Sequence, residues 1–293
     1  MSLFDEAREA GRYRELLQSL IQRELDVRYK NSRLGVAWSL ANPIVRALIL
    51  WAVFHYVFQT KVENYAAYVL AAFFPWTYFL TSVLDAGDSV SKQLGLVRKV
   101  YFPRELLPLA TTIANLKHFL LSLRLVLLPL LIFLYTRDSL THHQLTLPPA
   151  EILLLPVLVV MQTLLIGGIS LFLSALNVFF EDVKFLTAVV LDLLFYAVPI
   201  MYFLEQVQFS SKVPPLVHTL FLLNPMTVIL TCYRSFLLPV QHGVRVPGLD
   251  QPVDINTGVP WPYFGFALTV CVATFVGGYA FFNARKWRFV EQL

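Results

Sequence analysis

Four charged side chains interrupt stretches of sequence that are otherwise apolar, and they are the first candidates for chemistry. Arg46, Lys117, Arg124 and Asp192 each lie in a run long enough to cross a bilayer. A charge at that depth is costly and usually faces the interior of a helix bundle or a cavity. Lys117 and Arg124, seven residues apart, share a helical face. Asp192 can pair with Arg46, which lies at a similar depth of about 12 Å, or with Lys117 while Arg46 extends to the membrane surface.

Motifs of enzymes and nucleotide-binding proteins are absent. No glycine is followed by lysine, so a Walker A loop is excluded, and GxSxG and HExxH do not occur. Asp192 is the single acid within a span, whereas glycosyl transfer normally uses paired carboxylates. The adjacent His142 and His143 do not share a helical face, and Cys232 and Cys271 lack metal-site spacing. We therefore expect a chain that is not an enzyme, with no catalytic residue, no metal and no bound cofactor.

The elements that position these charges follow from composition. The chain has 293 residues, of which 57% are hydrophobic and 14% charged, and its mean hydropathy is +0.63. Soluble domains carry roughly 25% charged residues, so we expect an integral membrane protein. A span needs about 20 mostly apolar residues. Six runs satisfy this rule: residues 34–58, 65–84, a segment within 106–135, 152–180, 185–204 and 261–282.

A further apolar stretch, residues 213–233, is interrupted by Pro214, Pro215 and the Asn224-Pro225 pair. Proline lacks an amide donor and its ring clashes with the preceding turn, so two short helices are predicted. We interpret them as a re-entrant hairpin, which membranes tolerate where its backbone is buried in protein or faces a cavity. The predicted fold is an all-α integral membrane protein with six transmembrane helices, an N-terminal amphipathic interface helix and an external re-entrant helical hairpin before the last span.

The positive charges assign an orientation to this arrangement. With six spans, 15 Lys and Arg residues fall on the side of the termini, 5 on the opposite side and 3 within spans. The positive-inside rule therefore places both termini in the cytoplasm. The five residues assigned to the external side are Lys61, Arg137, Lys212, Arg234 and Arg245.

The segment before the first span has the pattern of an amphipathic helix. Its apolar side chains, among them Leu20 and Ile21, recur at helical spacing, and arginine and glutamine occupy the other face. We expect it to lie in the cytoplasmic membrane interface. The alternative is a helix that packs against a protein partner.

The loop between the second and third spans combines apolar and basic residues that water would not cover well. Val97, Val100, Tyr101 and Phe102 alternate with Arg98, Lys99 and Arg104. Such a loop packs either against the protein's own membrane surface or against a soluble partner.

Here the sequence resembles the ABC-2 type permeases that export polysaccharides and polyol phosphates such as O-antigen, capsule and wall teichoic acid. The resemblance covers nearly the whole chain, and its most specific part is LVRKVYFPRE at residues 96–105. The other matching segments are RYRELL at 12–17, RELDVRYK at 23–30, LGVAW at 34–38, NP at 42–43, residues 177–182, residues 199–202, LNPM at 223–226 and YR at 233–234.

This resemblance implies a coupling helix at residues 96–105, which sits in a groove of a separate ATPase subunit, and a second coupling element around residues 179–183. The implied ATPase-coupling residues are Val97, Arg98, Lys99, Val100, Tyr101, Phe102, Glu181 and Asp182. ATP and Mg would then be bound by the partner and not by this chain.

Aromatic residues, 14% of the chain, suggest a path for sugar. Trp51, Phe54 and Phe58 recur at helical spacing in the first span, as do Phe195 and Tyr202 in the fifth, where Tyr196 is added. Aromatic faces can stack on sugar rings. For any single ring, lipid contact, core packing or an interfacial belt is the alternative.

The predicted function is that of the membrane-spanning permease subunit of an ATP-driven exporter, moving a lipid-linked polysaccharide across the bacterial cytoplasmic (inner) membrane. One six-helix chain encloses too little space, so a homodimer with two ATPase subunits is expected. No nucleic acid is expected as a partner. The alternatives are an exporter of a small lipid or drug and, with less support, a membrane-embedded glycosyltransferase.

A single ABC-2 type transmembrane domain is expected over residues 1–293. Its parts are a cytoplasmic interface helix (1–33), spans one to five (34–204), the external hairpin and loop (205–260), span six (261–283) and a cytoplasmic tail (284–293). The role of the external loop at 239–260 is not assigned by the sequence.

Overall fold

The structure of the chain is a computed structural model, and it is predominantly helical. It describes residues 13–29, 64–93, 102–142, 148–210, 213–246 and 251–290, together with Gly95, Leu249 and isolated positions between 41 and 56.

Eleven described α-helices are numbered in chain order. The first six are α1 (Arg14–Tyr29), α2 (Tyr65–Gly87), α3 (Ser89–Lys92), α4 (Leu106–Ser122), α5 (Leu128–His142) and α6 (Leu155–Phe179). A π-helical turn, Leu123–Leu127, joins α4 to α5, and a 3-10 turn, Ala150–Leu154, precedes α6. The others are α7 (Val183–Ala197), α8 (Leu204–Phe209), α9 (Pro215–Leu223), α10 (Pro225–Leu237) and α11 (Trp261–Arg285), which a 3-10 helix, Lys286–Val290, continues.

Four described helical runs are long and apolar enough to cross a membrane, or five if α9 and α10 are counted as one bent span. The four are Tyr65–Gly87, Leu106–Arg137, Ala150–Phe179 and Trp261–Phe289. They coincide with predicted spans two, three, four and six. Most of the first predicted span, residues 34–58, lies outside the described residues.

The fifth predicted span is shorter than expected. We predicted it over residues 185–204, but α7 ends at Ala197 and continues as bends through Tyr202. Pro199 explains this, because the residue before a proline is pushed out of the helical region. Val198 accordingly has φ −101° and ψ 144°. The 15 residues of α7 extend about 22 Å, less than the roughly 30 Å of a bilayer core.

The predicted break at Asn224-Pro225 is present. Helices α9 and α10 meet there at an angle of 84°. The Asn224 side chain accepts a hydrogen bond of 2.9 Å from the Met226 amide, and Pro225 occupies the first turn of α10. An asparagine cap followed by proline is a favourable helix start, which explains why a new helix begins here.

The loop at 239–260 contains the one departure from an all-α fold within the described residues. Strands β1 (Gln241–Val244) and β2 (Val253–Ile255) form a two-stranded antiparallel ribbon. The rest of the described chain agrees with the predicted all-α membrane protein. We expected this segment only as an external loop, because a three- or four-residue strand is too short to produce a clear alternating pattern.

The interior of the bundle is organised around α2 and the crossing of α6 with α11. Of the most apolar 18 residues of α2, 78% are buried. At the crossing, a Cβ atom on Gly278 would lie 2.1 Å from the carbonyl oxygen of Gly168, whereas one on Gly277 would meet nothing within 4 Å. Close approach of two membrane helices requires small residues at the contact, and these two glycines provide it.

The bundle has two ends, which we name by what they contain. The hairpin end holds Tyr65, residues 198–203, α9, α10 and the β-ribbon; a hydrogen bond from the Tyr65 hydroxyl to the Met201 carbonyl lies there. The tail end holds Gly87, residues 102–105, Phe179 and the final 3-10 helix. There the Asn177 side-chain amide donates a hydrogen bond of 2.7 Å to the Gly87 carbonyl.

Helix α1 also lies at the tail end. Leu20 and Ile21 are each 5% exposed and belong to a cluster with residues of α4, α6 and α11. Arg28 forms an ion pair of 2.9 Å with Asp85 at the end of α2. The apolar face of α1 is therefore covered at Leu20 and Ile21 by the chain itself, which the expectation of a purely interfacial helix did not include. A membrane position for its other residues stays a prediction.

Candidate functional site

The first predicted coupling segment is described only at its end. Val97, Arg98, Lys99, Val100 and Tyr101 lie outside the described residues. Phe102 is described and is 6% exposed, in the cluster that also contains Leu106 and Phe282. Of the two alternatives for this loop, the first holds for this ring, because the chain's own helices cover it; a role of Phe102 in ATPase coupling stays a prediction.

The residues after Phe102 are held by the last helical turn of the chain. The Arg104 guanidinium donates a hydrogen bond to the backbone carbonyl of Lys286 and lies 5.8 Å from the centre of the Phe289 ring. The Lys286 ammonium lies 3.7 Å from Oε1 of Glu105, and both side chains are largely buried, at 11% and 3% exposed. The end of the predicted coupling loop and the C-terminal segment therefore share contacts that the sequence did not indicate.

The second predicted coupling element is an exposed turn between α6 and α7. Glu181 and Asp182 are exposed and lie between two exposed rings, Phe180 (62%) and Phe185 (64%). The Lys184 ammonium lies 5.0 Å from the centre of the Phe185 ring. The two acids precede the first turn of α7, where the helix dipole favours negative charge. We call this surface, residues 180–185, the acidic turn.

The predicted sugar path is only partly described. Trp51, Phe54 and Phe58 lie outside the described residues. Phe195 and Tyr202 do not share a helical face as predicted, because α7 ends between them.

The described residues of the predicted sugar path have different surroundings. The Phe195 ring packs on α2, 5.8 Å from the centre of Trp76 and 6.4 Å from that of Phe73, so it belongs to the core. Tyr196 is 68% exposed. Tyr202 is partly buried, and its ring lies 6.2 Å from that of Phe221 in α9. Tyr196, whose ring also packs edge-on against Phe195 at 5.3 Å, is therefore the most exposed of the described path candidates.

A buried arginine at the hairpin end was missed by sequence reasoning, which assigned Arg234 to the external loops. The structure places it inside α10, 2% exposed. Its guanidinium donates to the carbonyl oxygens of Pro199 at 2.5 Å, Ile200 at 2.6 Å and Tyr68 at 3.2 Å. It also lies 3.7 Å from the centre of the Tyr68 ring. A signal was available, since YR at 233–234 and residues 199–202 were both among the family segments.

The β-ribbon is attached to this arginine through Asn256. The Asn256 side-chain amide donates to the carbonyls of Leu238 at 2.7 Å and Arg234 at 3.3 Å, and its backbone amide donates to Glu205 at 2.8 Å. Asn256 has φ 61°, a left-handed conformation that asparagine adopts more readily than most residues. The ribbon, α10 and the segment after α7 are therefore joined by hydrogen bonds.

The charges within the apolar helices are exposed in a single chain. This holds for Lys117, Arg124 and Asp192, and the structure records no ion pair between Asp192 and Lys117. Arg46 lies outside the described residues. Within the described ranges, no three His, Cys, Asp or Glu side chains are grouped as they would be around a metal ion.

Comparison with known proteins identifies the family. The family model for the ABC-2 type transporter matches residues 15–238. The O-antigen export system permease protein RfbA of Myxococcus xanthus is 34% identical over 229 residues, which are 78% of this chain and 82% of that protein. Two proteins of the same name from Klebsiella pneumoniae are 25% identical over 279 residues and 28% identical over 280, in each case 95% of both chains. The chain therefore belongs to the ABC-2 type transporter family.

Proposed function

We propose that this chain is the membrane-spanning permease subunit of an ATP-driven exporter, and that its substrate is a lipid-linked polysaccharide of the O-antigen, capsule or teichoic acid type. It acts as a homodimer with two separate ATPase subunits in the bacterial cytoplasmic membrane. ATP and Mg are bound by the ATPase.

The observation that carries this proposal is the length of the likeness to permeases of O-antigen export. Two relatives of that name match over 95% of this chain and 95% of their own sequences. The likeness therefore extends over the helices, the bent pair and the ribbon alike, which favours the same substrate class over a small lipid or a drug.

The acidic turn supports an ATPase partner at the tail end. Phe180 and Phe185 are more than half exposed beside Glu181 and Asp182. Exposed rings bordered by charge are typical of a protein interface, in which aromatic residues bind and charges fix orientation. The tail end is then cytoplasmic, both termini lie on that side, and the hairpin of α9 and α10 is re-entrant from outside.

The exposed intramembrane charges support a homodimer. Lys117, Arg124 and Asp192 would face lipid if one chain worked alone, and a charge facing lipid is costly. A second copy and a hydrated path between the copies would remove that cost. We assign Tyr196 to this path with Trp51, Phe54, Phe58 and Tyr202, and we leave Phe195 to the core.

The test uses the chain co-expressed with its ATPase in a bacterium that lacks its own O-antigen export permease. Polymer on the cell surface is measured, and the ATPase that co-purifies with the chain is quantified. Charge reversal of the acidic turn, Glu181→Lys with Asp182→Lys, should lower co-purified ATPase roughly tenfold or more, because loss of interfacial charge pairs costs about 2 kcal/mol or more.

The control is the charge reversal Glu151→Lys. Glu151 lies in the same helical run as α6, Ala150–Phe179, but at its opposite end, the hairpin end. It should leave co-purification unchanged. Full co-purification of the double variant would exclude the acidic turn as the docking site. Absence of polymer at the surface with the unaltered chain would exclude polysaccharide export and favour a smaller substrate.

A further inference from the structure

The C-terminal 3-10 helix is packed into the bundle and is not a solvated tail. Phe289 is fully buried, although its neighbours Trp287 and Arg288 are exposed, Trp287 at 62%. A charged tail with no structural role would not bury one ring this completely while exposing another of similar size. The segment Lys286–Val290 therefore has a defined position at the tail end.

Phe289 lies close to a residue of each predicted coupling element. Its ring centre is 5.7 Å from that of Phe179, the last residue of α6, and the acidic turn begins at the next residue. The Arg104 guanidinium lies 5.8 Å from the centre of the same ring. Arg104 belongs to the segment 96–105 that carries the first coupling element. The Phe289 side chain thus contacts a residue of each predicted element, Arg104 of the first and Phe179 of the second.

Lys286 adds two contacts to the first element. Its backbone carbonyl accepts a hydrogen bond from Arg104, and its ammonium lies 3.7 Å from Glu105. The ring of Phe282, four residues before Lys286 in α11, packs against that of Phe289, with 5.4 Å between the ring centres. The 3-10 helix is thereby fixed to the last membrane helix, and residues 104–105 and 179 are fixed to the 3-10 helix.

We propose that the buried contacts of Phe289 and Lys286 position the two predicted ATPase-coupling elements relative to each other, with Phe289 as the positioning residue. This inference rests on the proposed function. If both elements contact one ATPase subunit, a movement of that subunit is transmitted to α4 and to α6 together only when their ends keep a fixed separation. The Phe289 ring limits that separation, because it is fully buried and its centre lies 5.8 Å from the Arg104 guanidinium and 5.7 Å from the centre of the Phe179 ring.

The experiment compares Phe289→Ala, Phe289→Leu and the exposed control Trp287→Ala in the complete complex of chain and ATPase. The complex is reconstituted in proteoliposomes with a lipid-linked O-antigen polysaccharide. Three quantities are measured: co-purified ATPase, the rate of ATP hydrolysis, and polymer exported per ATP hydrolysed. A purely structural residue would change the amount of complex but not the ratio of polymer to ATP.

We expect Phe289→Ala to retain the ATPase but to lower polymer per ATP by roughly 2- to 30-fold, the range over which changes along a coupling route act. Phe289→Leu should restore part of this ratio because leucine refills much of the space, and Trp287→Ala should equal the unaltered chain. If Phe289→Ala does not insert, Phe289→Leu decides: a lowered ratio supports the proposal and an unchanged ratio overturns it.

Two failures are distinguishable. If the unaltered chain neither retains the ATPase nor exports polymer, the proposed function fails and this inference fails with it. If the unaltered complex works and the Phe289 variants export as much polymer per ATP as Trp287→Ala, only the positioning role of the C-terminal segment is overturned.

Discussion

The two ends of the bundle each bury a cation, and they satisfy it in different ways. At the hairpin end, Arg234 is surrounded by backbone: three carbonyl oxygens, from Tyr68, Pro199 and Ile200, accept its hydrogen bonds. At the tail end, Lys286 lies against a carboxylate, that of Glu105. The first cation is held by groups that every residue carries, and the second by a particular side chain.

This difference follows from the backbone that each end has to stabilise. Residues 198–202 are not helical, so their carbonyl groups lack the intrahelical partners that a membrane segment normally supplies. A guanidinium has five donors in a planar fork and can serve several carbonyls at once. At the tail end, no such non-helical segment among the described residues needs donors. The ion pair between Lys286 and Glu105 instead joins the end of α11 to the start of α4. Arg234 therefore replaces missing secondary structure, whereas Lys286 connects structure that is already complete.

The largest expected effect breaks the hairpin end. In Arg234→Met, the buried carbonyls of Pro199 and Ile200 lose their hydrogen-bond donors, which costs about 1–3 kcal/mol each. We therefore expect the free energy of unfolding to fall by roughly 2–6 kcal/mol. Thermal unfolding of the purified protein in detergent measures it. The stability of Arg234→Lys should lie between that of the unaltered chain and that of Arg234→Met, since one ammonium cannot reach all three carbonyls.

The control for this change is Arg245→Met, which removes an exposed arginine next to β1. It should leave the unfolding temperature nearly unchanged. If Arg234→Met were as stable as Arg245→Met, the carbonyls at 199–200 would have to find other donors, and the contrast between the two ends would be lost.

The second expected effect sharpens the contrast at the tail end. Lys286→Met leaves the buried Glu105 carboxylate without its cation, and we expect a loss of about 3 kcal/mol, the lower part of the range for breaking a buried pair. The distance of 3.7 Å is long for an ion pair, which argues for that lower part. Thermal unfolding is again the measurement.

A second substitution should restore the stability lost in Lys286→Met, whereas none can restore the stability lost in Arg234→Met. Adding Glu105→Gln to Lys286→Met removes both charges, so most of the lost stability should return. No second substitution can do this for Arg234, because its acceptors are backbone carbonyls. A double variant no more stable than Lys286→Met alone would show that the lysine stem, and not the charge pair, contributes the stability.

The helices could be predicted from sequence because their causes are local. Residues 65–84 and 261–282 were expected to be helical spans, and the structure has Tyr65–Gly87 and Trp261–Arg285. The break before Pro225 follows from proline chemistry alone. The end of α7 at Ala197 was predictable in principle from Pro199. We extended the span to residue 204 because the sequence stays apolar past the proline.

The buried polar contacts could not be predicted because their causes are distant in the chain. Arg234 binds carbonyls that lie 34, 35 and 166 residues away. A backbone carbonyl is present at every position, so no residue type marks it as an acceptor. Phe289 was similarly concealed among charges at the end of the chain, where composition indicates a solvated tail.

The smallest expected effect concerns the β-ribbon, where the hairpin end meets water. Asp254 accepts hydrogen bonds from Nδ1 of His242 at 3.0 Å and from the Gly243 amide at 2.8 Å. These bonds, chiefly the one from His242, stabilise the carboxylate and hold the pKa of Asp254 below its ordinary value near 3.8. A lowered pKa means that the stabilisation is complete above that ordinary value and is lost as the pH falls through the value in the folded state.

Protection of the Gly243 amide from hydrogen exchange measures this effect, with Asp254→Asn as the comparison at each pH. Asparagine keeps an acceptor but carries no charge, so it imitates the protonated acid. We expect the unaltered chain to be better protected at pH 5 and above, and the two proteins to become equal as the pH falls through the lowered pKa of Asp254. A difference that disappeared already between pH 6 and 5 would exclude Asp254 as the titrating group. A difference that did not change with pH would mean that the shape of the side chain, and not its charge, holds the ribbon closed, and the ribbon would then depend on Asn256 and the arginine behind it.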